Sequence, residues 1–179
     1  MRRVRYAVAA SVDGYILGPK GETDWIIMDP EIDFGSIFSE FDTFLIGRRT
    51  FEGMAQQGGG PEMPGMKSFV FSRTLAQSDH PDVTIVSDSA EETVASLRAQ
   101  PGKDIWLFGG GLLFRSLAAA GLVDTVEVAL MPSLLGGGTP LFPPPAERIG
   151  LKLTTHKIYP TGIVSLEYAV ESARAGAKR

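Results

Sequence analysis

Cysteine is absent from this 179-residue chain, and histidine occurs only twice, at His80 and His156. Without a thiol there is no disulfide framework, no cysteine nucleophile and no thiolate-held zinc, and a reducing compartment is permitted. The two histidines lie far apart and outside metal-ligand spacing, so no metal is expected. Long apolar runs are missing too. Nothing approaches the roughly 20 residues of a membrane-spanning helix, and Arg2, Arg3 and Arg5 are not followed by the apolar core of a secretion signal. Cytoplasmic placement is the default, with no membrane partner. A surplus of positive charge is also lacking. Seventeen Lys and Arg stand against 21 Asp and Glu, a formal net charge of −4. Basic residues cluster only in the terminal Arg174 to Arg179, which argues against nucleic-acid binding.

What is present fits one globular α/β domain. The 44% hydrophobic content fills a sizeable core, and no internal repeat is seen. The expected domain covers residues 1–172, with 173–179 a disordered tail. Val4 to Ser11 is mostly apolar and reads as a central strand ended by Asp13-Gly14. Gly18 to Thr23 is turn-rich, in the manner of a flap or an ordinary surface turn. Phe34, Ile37, Phe38 and Phe41 recur at helical spacing and predict a helix over Asp33 to Phe41. Ser89 and Glu92 have capping-box spacing at the start of another helix. Leu112, Leu113, Leu117 and Leu122 mark a further one, and Thr125 to Leu130 a strand. The chain closes with a predicted antiparallel hairpin, Leu151 to Lys157 and Ile163 to Tyr168, turning at Tyr159-Pro160-Thr161-Gly162.

Three strand ends carry chemistry. The apolar run Asp104 to Phe108 leads into Gly109-Gly110-Gly111 and then a helical pattern. Glycine allows close approach to the backbone, and the free N–H groups opening a helix attract anions, so the junction suits phosphate. It equally suits a tight strand-to-helix turn, and it lacks the third spaced glycine of the common dinucleotide fingerprint. Phe44-Leu45-Ile46 runs into Gly47-Arg48-Arg49-Thr50, where two guanidiniums could grip phosphate oxygens or simply be solvated. Phe69-Val70-Phe71 ends at Ser72-Arg73-Thr74. In an open α/β sheet ligands bind outside the carboxyl ends of strands, so three such ends could line one crevice for an extended dinucleotide.

Taken in order, Ala9-Ala10-Ser11-Val12-Asp13-Gly14, Phe44 to Phe51, Phe71 to Thr74, Phe108 to Gly111 and Gly138 to Pro143 resemble the dihydrofolate reductase-like family over nearly the whole domain. Ser11 to Gly14 and Trp25-Ile26 are closer to the reductase domain of riboflavin biosynthesis than to dihydrofolate reductase itself. The resemblance implies a mixed, mostly parallel central sheet flanked by helices and a small-molecule reductase using NADPH. It places Gly47, Arg48, Arg49, Thr50 and Gly109 to Gly111, with Leu112 and Leu113, at the pyrophosphate. Ser72, Arg73 and Thr74 fall at the adenosine 2′-phosphate, Ala9 and Ile16 at the nicotinamide, and Thr139 at the closing edge. Trp25 and Asp29 fall on the substrate side, and Glu31 is the nearest match for a partly buried acid that could relay a proton, although a charge there also suits a helix start. The added arginines of riboflavin-type relatives are missing from Gln56 to Gly65, so substrate transfers less well than cofactor. Dihydrofolate reduction and turnover-free nucleotide binding are the alternatives. Relatives of the riboflavin type pair, which implies a homodimer.

Overall fold

The computed structural model describes residues 1–56 and 65–171. The loop read between Gln56 and Gly65 and the tail at 173–179 lie, but for the loop's end residues, outside the described residues. In chain order the elements are β1 (Val4–Ser11), β2 (Tyr15–Leu17), α1 (Phe34–Ser39), β3 (Phe41–Gly47), α2 (Arg48–Gln56), β4 (Lys67–Phe71), β5 (Thr84–Val86), α3 (Ala90–Ala99), β6 (Asp104–Gly109), α4 (Gly111–Ala119), β7 (Thr125–Met131), β8 (Thr139–Pro140), β9 (Leu151–Ile158) and β10 (Val164–Val170).

Eight strands form one sheet in the order β5-β4-β3-β6-β1-β7-β10-β9. From β5 to β7 every neighbour is parallel, while β7–β10 and β10–β9 are antiparallel. This is the α/β architecture expected from the sequence, including the C-terminal hairpin. The apolar runs explain the inner strands: a parallel strand covered by helices on both faces has no solvent side to make polar. Alternate residues of β1 divide between the two faces. Val4, Tyr6 and Ala10 join Leu45, Ile105, Leu107, Phe114 and Leu117 in the core shared with α3 and α4. Ala7 packs on the opposite face, where Phe44, Ile46, Phe51, Val70 and Trp106 form the second core. β2 and β8 make a separate two-stranded ribbon.

Two local expectations are corrected. The helix predicted over Asp33 to Phe41 is shorter: Asp33 caps it by accepting the Ser36 N–H. Glu40 ends it, and Phe41 is already strand, buried against Trp106 with ring centres 5.5 Å apart. The spacing of Phe41 was helical, but tertiary packing took it into the sheet. The capping box at Ser89 is not made. Ser89 adopts a left-handed φ of 49° without a side-chain cap, and the neighbouring Glu91 accepts the Ser116 hydroxyl at 2.6 Å, linking α3 to α4.

Candidate functional site

Because β1, β3, β4, β6 and β7 are mutually parallel, their carboxyl ends emerge on one edge of the sheet. The turns after β3 and β6 touch there. A Cβ on Gly47 would lie 3.3 Å from the Gly110 nitrogen, and one on Gly110 would lie 3.0 Å from Thr50 Oγ1. Gly109 has a φ of +143°, a conformation L side chains rarely adopt. Gly110 caps α4 with no side chain, so the first N–H groups of that helix, Gly111 and Leu112 among them, have no helical partners. Leu112 is exposed, whereas Leu113 packs on the core.

Arg48 and Arg49 open α2 and are exposed. The Arg48 guanidinium donates to Thr74 Oγ1 at 2.9 Å and to Glu52 at 2.8 Å, tying the β3 and β4 ends together. Ser72 is buried, and its hydroxyl oxygen accepts the N–H groups of Thr74 and Leu75 at 3.2 and 3.1 Å. The hydroxyl therefore shapes the turn that carries exposed Arg73. Beside these ends, half-buried Ala9 of β1 pairs with Ala129, and Ile16 of β2 packs on the α3–α4 core. Thr139 is exposed in β8 opposite Leu17.

Amide N–H groups, glycine-lined backbone and guanidiniums thus converge on one edge. That donor set fits an extended anion with a pyrophosphate, and the glycines let the two turns pack against each other more closely than a Cβ would allow. A cavity of about 590 Å³ lies elsewhere, between α3 and the starts of β3 and β4. It contains none of the expected residues, and the chemistry favours the strand ends.

The acids behave differently from expectation. Glu31 is exposed, 3.9 Å from the Lys157 ammonium. The buried acid of this segment is Asp29, whose carboxylate accepts the Glu31 N–H at 2.9 Å and the Thr161 hydroxyl and N–H at 2.7 and 3.2 Å. Loss of hydration, the largest single influence, acts upward on its pKa. The hydrogen bonds and Lys157 together outweigh it, and the net shift is downward. Asp29 is therefore an ionised clasp between the segment before α1 and the β9–β10 turn. Trp25 is half-buried, its indole N–H donating to the Glu22 carbonyl at 3.0 Å.

The sequence marks Asp13 only as the end of the first strand, whereas in the fold it is a latch. Its carboxylate accepts the Ser11 hydroxyl at 2.6 Å, the Gly136 N–H at 2.7 Å and the Leu135 N–H at 3.1 Å. These bonds, led by that of Ser11, hold its pKa at about 2. The turn after β1 is thereby latched to the loop after β7. A hydroxyl two residues before an aspartate in a turn was the available signal.

Residues 2–165 match the model of the RibD C-terminal domain. The chain belongs to that family. Among curated proteins, it is 36% identical over 178 residues to the uncharacterized protein YyaP of Bacillus subtilis, covering 93% of this chain and 94% of that one. Among solved structures, a protein from Shewanella sp. PV-4 assigned to riboflavin biosynthesis superposes with a TM-score of 0.80 at 23% identity, over 96% of this chain and all of that one (100%). Dihydrofolate reductase from Enterococcus faecalis, in complex with NADP(H), superposes with a TM-score of 0.68 at 19% identity, over 95% and 97% of the two chains. At those identities the superpositions establish the dihydrofolate reductase-like fold, and membership of the RibD C-terminal family supports a reductase-type function in general.

Proposed function

We propose that this RibD C-terminal family chain is an NADPH-dependent reductase of the riboflavin type, acting on a small heteroaromatic or carbonyl substrate. The observation that carries the reading is the meeting of the Gly47–Thr50 and Gly109–Gly111 turns at the strand ends. In this reading those turns hold the pyrophosphate on N–H groups and on Arg48 and Arg49. Arg73 and Thr74, on the turn built by Ser72, receive the 2′-phosphate. Ala9 and Ile16 flank the nicotinamide, and Thr139 borders it on the β2–β8 ribbon. When bound, the reduced nicotinamide supplies hydride; the chain contributes alignment and the exclusion of water. Trp25 and the segment clasped by Asp29 form the substrate side. Glu31, exposed on the same segment near Lys157, is the residue proposed to relay the proton, since the hydrogen bonds of Asp29 are committed to Glu31 and Thr161. The active form is a homodimer.

The test is calorimetric titration with NADPH, followed by absorbance-monitored NADPH oxidation across carbonyls, dihydrofolate and the ribosylaminopyrimidine of riboflavin synthesis. Binding together with oxidation by a carbonyl or the pyrimidine is the expected result. Oxidation by dihydrofolate alone selects dihydrofolate reductase. Binding without any turnover identifies a nucleotide-binding module, and no binding overturns the reading.

A further inference from the structure

Arg5 is a buried charge with no part in the cofactor edge. Its side chain is only 9% exposed, and it projects from β1 on the face that carries α1. Nε and Nη2 grip Glu127 of β7 at 2.6 and 2.8 Å. Nη1 pairs with Glu40 and lies 3.5 Å from Asp104 of β6. The guanidinium also sits over the Phe41 ring, 4.6 Å from its centre. Burying a guanidinium is unfavourable unless its partners are in place, and apolar replacements of such groups are often neutral or stabilising. Its partners here come from three elements that must keep register.

Glu40 is the single residue between α1 and β3, so the grip acts at a joint. Little else fixes α1. It has six residues, none of them buried. At the same end, the Lys103 ammonium donates to the Ser39 carbonyl at 2.8 Å and the Asp104 N–H to the Glu40 carbonyl at 3.2 Å. Apolar contact comes through a row of rings: Phe34 on Phe38, Phe38 on Trp106, and Trp106 against Phe108, the residue before Gly109. The row stacks α1 on the sheet as far as Phe108, and α1 directly follows the segment that Asp29 clasps, so a shift of α1 is felt on the proposed substrate side.

We propose that Arg5 is a positioning residue: by holding Glu40 it sets where α1 stands beside the cofactor edge, and thereby the fit of the substrate, without touching substrate or cofactor. This rests on the functional reading above. Glu40→Gln removes the charge on the α1 side and leaves the Arg5–Glu127 fork in place. Asp124→Asn, which breaks the Arg98 pair of 2.7 Å and weakens the Asp124 hold on the Val4 N–H, loosens the same strand without touching Glu40 and controls for general loosening.

Hydrogen exchange of the NADPH-saturated protein is expected to quicken over residues 33–40 in Glu40→Gln and to stay at the wild-type rate there in Asp124→Asn. With the substrate found in the panel, KM is expected to rise about tenfold, equivalent to roughly 1.4 kcal/mol of substrate binding, with kcat and the NADPH Kd within about twofold of wild type. Glu40→Asp, which keeps the charge, recovers part of the loss. Unchanged exchange over 33–40, equal quickening in both variants, or a matching loss of NADPH affinity overturns the proposal. If NADPH binds but nothing in the panel turns over, the functional reading and the substrate half of this proposal fail together, while exchange still decides the tether. If NADPH does not bind, the same exchange comparison is made on the free protein.

Discussion

Arg73 and Arg48 stand at the same edge but are differently engaged. Arg48 is committed to Thr74 and Glu52, whereas Arg73 is exposed on a turn whose geometry Ser72 already fixes. Arg73 is also close enough to Glu91 to help hold that carboxyl below its usual range, after the larger effect of the Ser116 hydroxyl. A guanidinium so placed has charge to give a phosphate and little to give a ribose hydroxyl. Arg73→Ala is therefore expected to weaken NADPH binding by roughly tenfold to a hundredfold, the scale of about 1.5–3 kcal/mol for a hydrogen bond to a charged group, and to leave NADH nearly unchanged. Parallel titrations with the two nucleotides check it. Equal losses would remove the 2′-phosphate from this turn.

At the level of elements, the latch at Asp13 gives the β2–β8 ribbon a pH dependence. The carboxyl titrates at about 2 in the folded chain and near 3.9 when unfolded. A group depressed in this way contributes its full stabilisation above about pH 4 and loses it as pH falls toward 2. Asp13→Asn is expected to lower the melting temperature at pH 7 and to flatten its fall between about pH 4 and 2. A pH series of thermal melts measures both, and a variant with an unchanged acid limb removes Asp13 as its cause. The strand ends, unlike the latch, were legible in the sequence. Strand, glycine and helix followed one another in sequence at Ile46-Gly47-Arg48 and Phe108-Gly109, so local order disclosed the elements and their joints. The apolar monotony of β1 likewise marked it as a central strand. Arg5 was illegible: its partners Glu40 and Glu127 lie 35 and 122 positions away, and only the sheet order β6-β1-β7 brings them around one guanidinium. Asp29 and Glu31 were distinguishable only once the Thr161 turn was folded against one of them.

At the level of the whole molecule, the sheet is unevenly covered. Helices α3 and α4 pack on the inner strands, but every residue of β9 is exposed and every residue of β10 is half-buried. The cross-strand pairs sort this hairpin into two faces. Val164 with Ile158 and Tyr168 with Leu153 lie on the side continuous with the α3–α4 core, while Ser165 with Lys157 and Glu167 with Thr155 lie on the other. Ile158 and Leu153 are 69% and 47% exposed, more apolar surface than an edge strand ordinarily leaves to water. A second copy related by a twofold axis would present the same apolar residues in return, the self-complementary arrangement that most homodimers use. Replacing Leu153 and Ile158 together by lysine is accordingly expected to turn a dimer into a monomer in light scattering after size exclusion, with NADPH affinity kept because the strand ends of β3 and β6 lie on the far side of β1. The Asp29–Thr161 clasp joins the hairpin turn to the segment proposed to meet substrate, so the monomer is expected to lose turnover more than cofactor binding. A wild-type chain that is monomeric at micromolar concentration would show that water, and no second copy, covers this face.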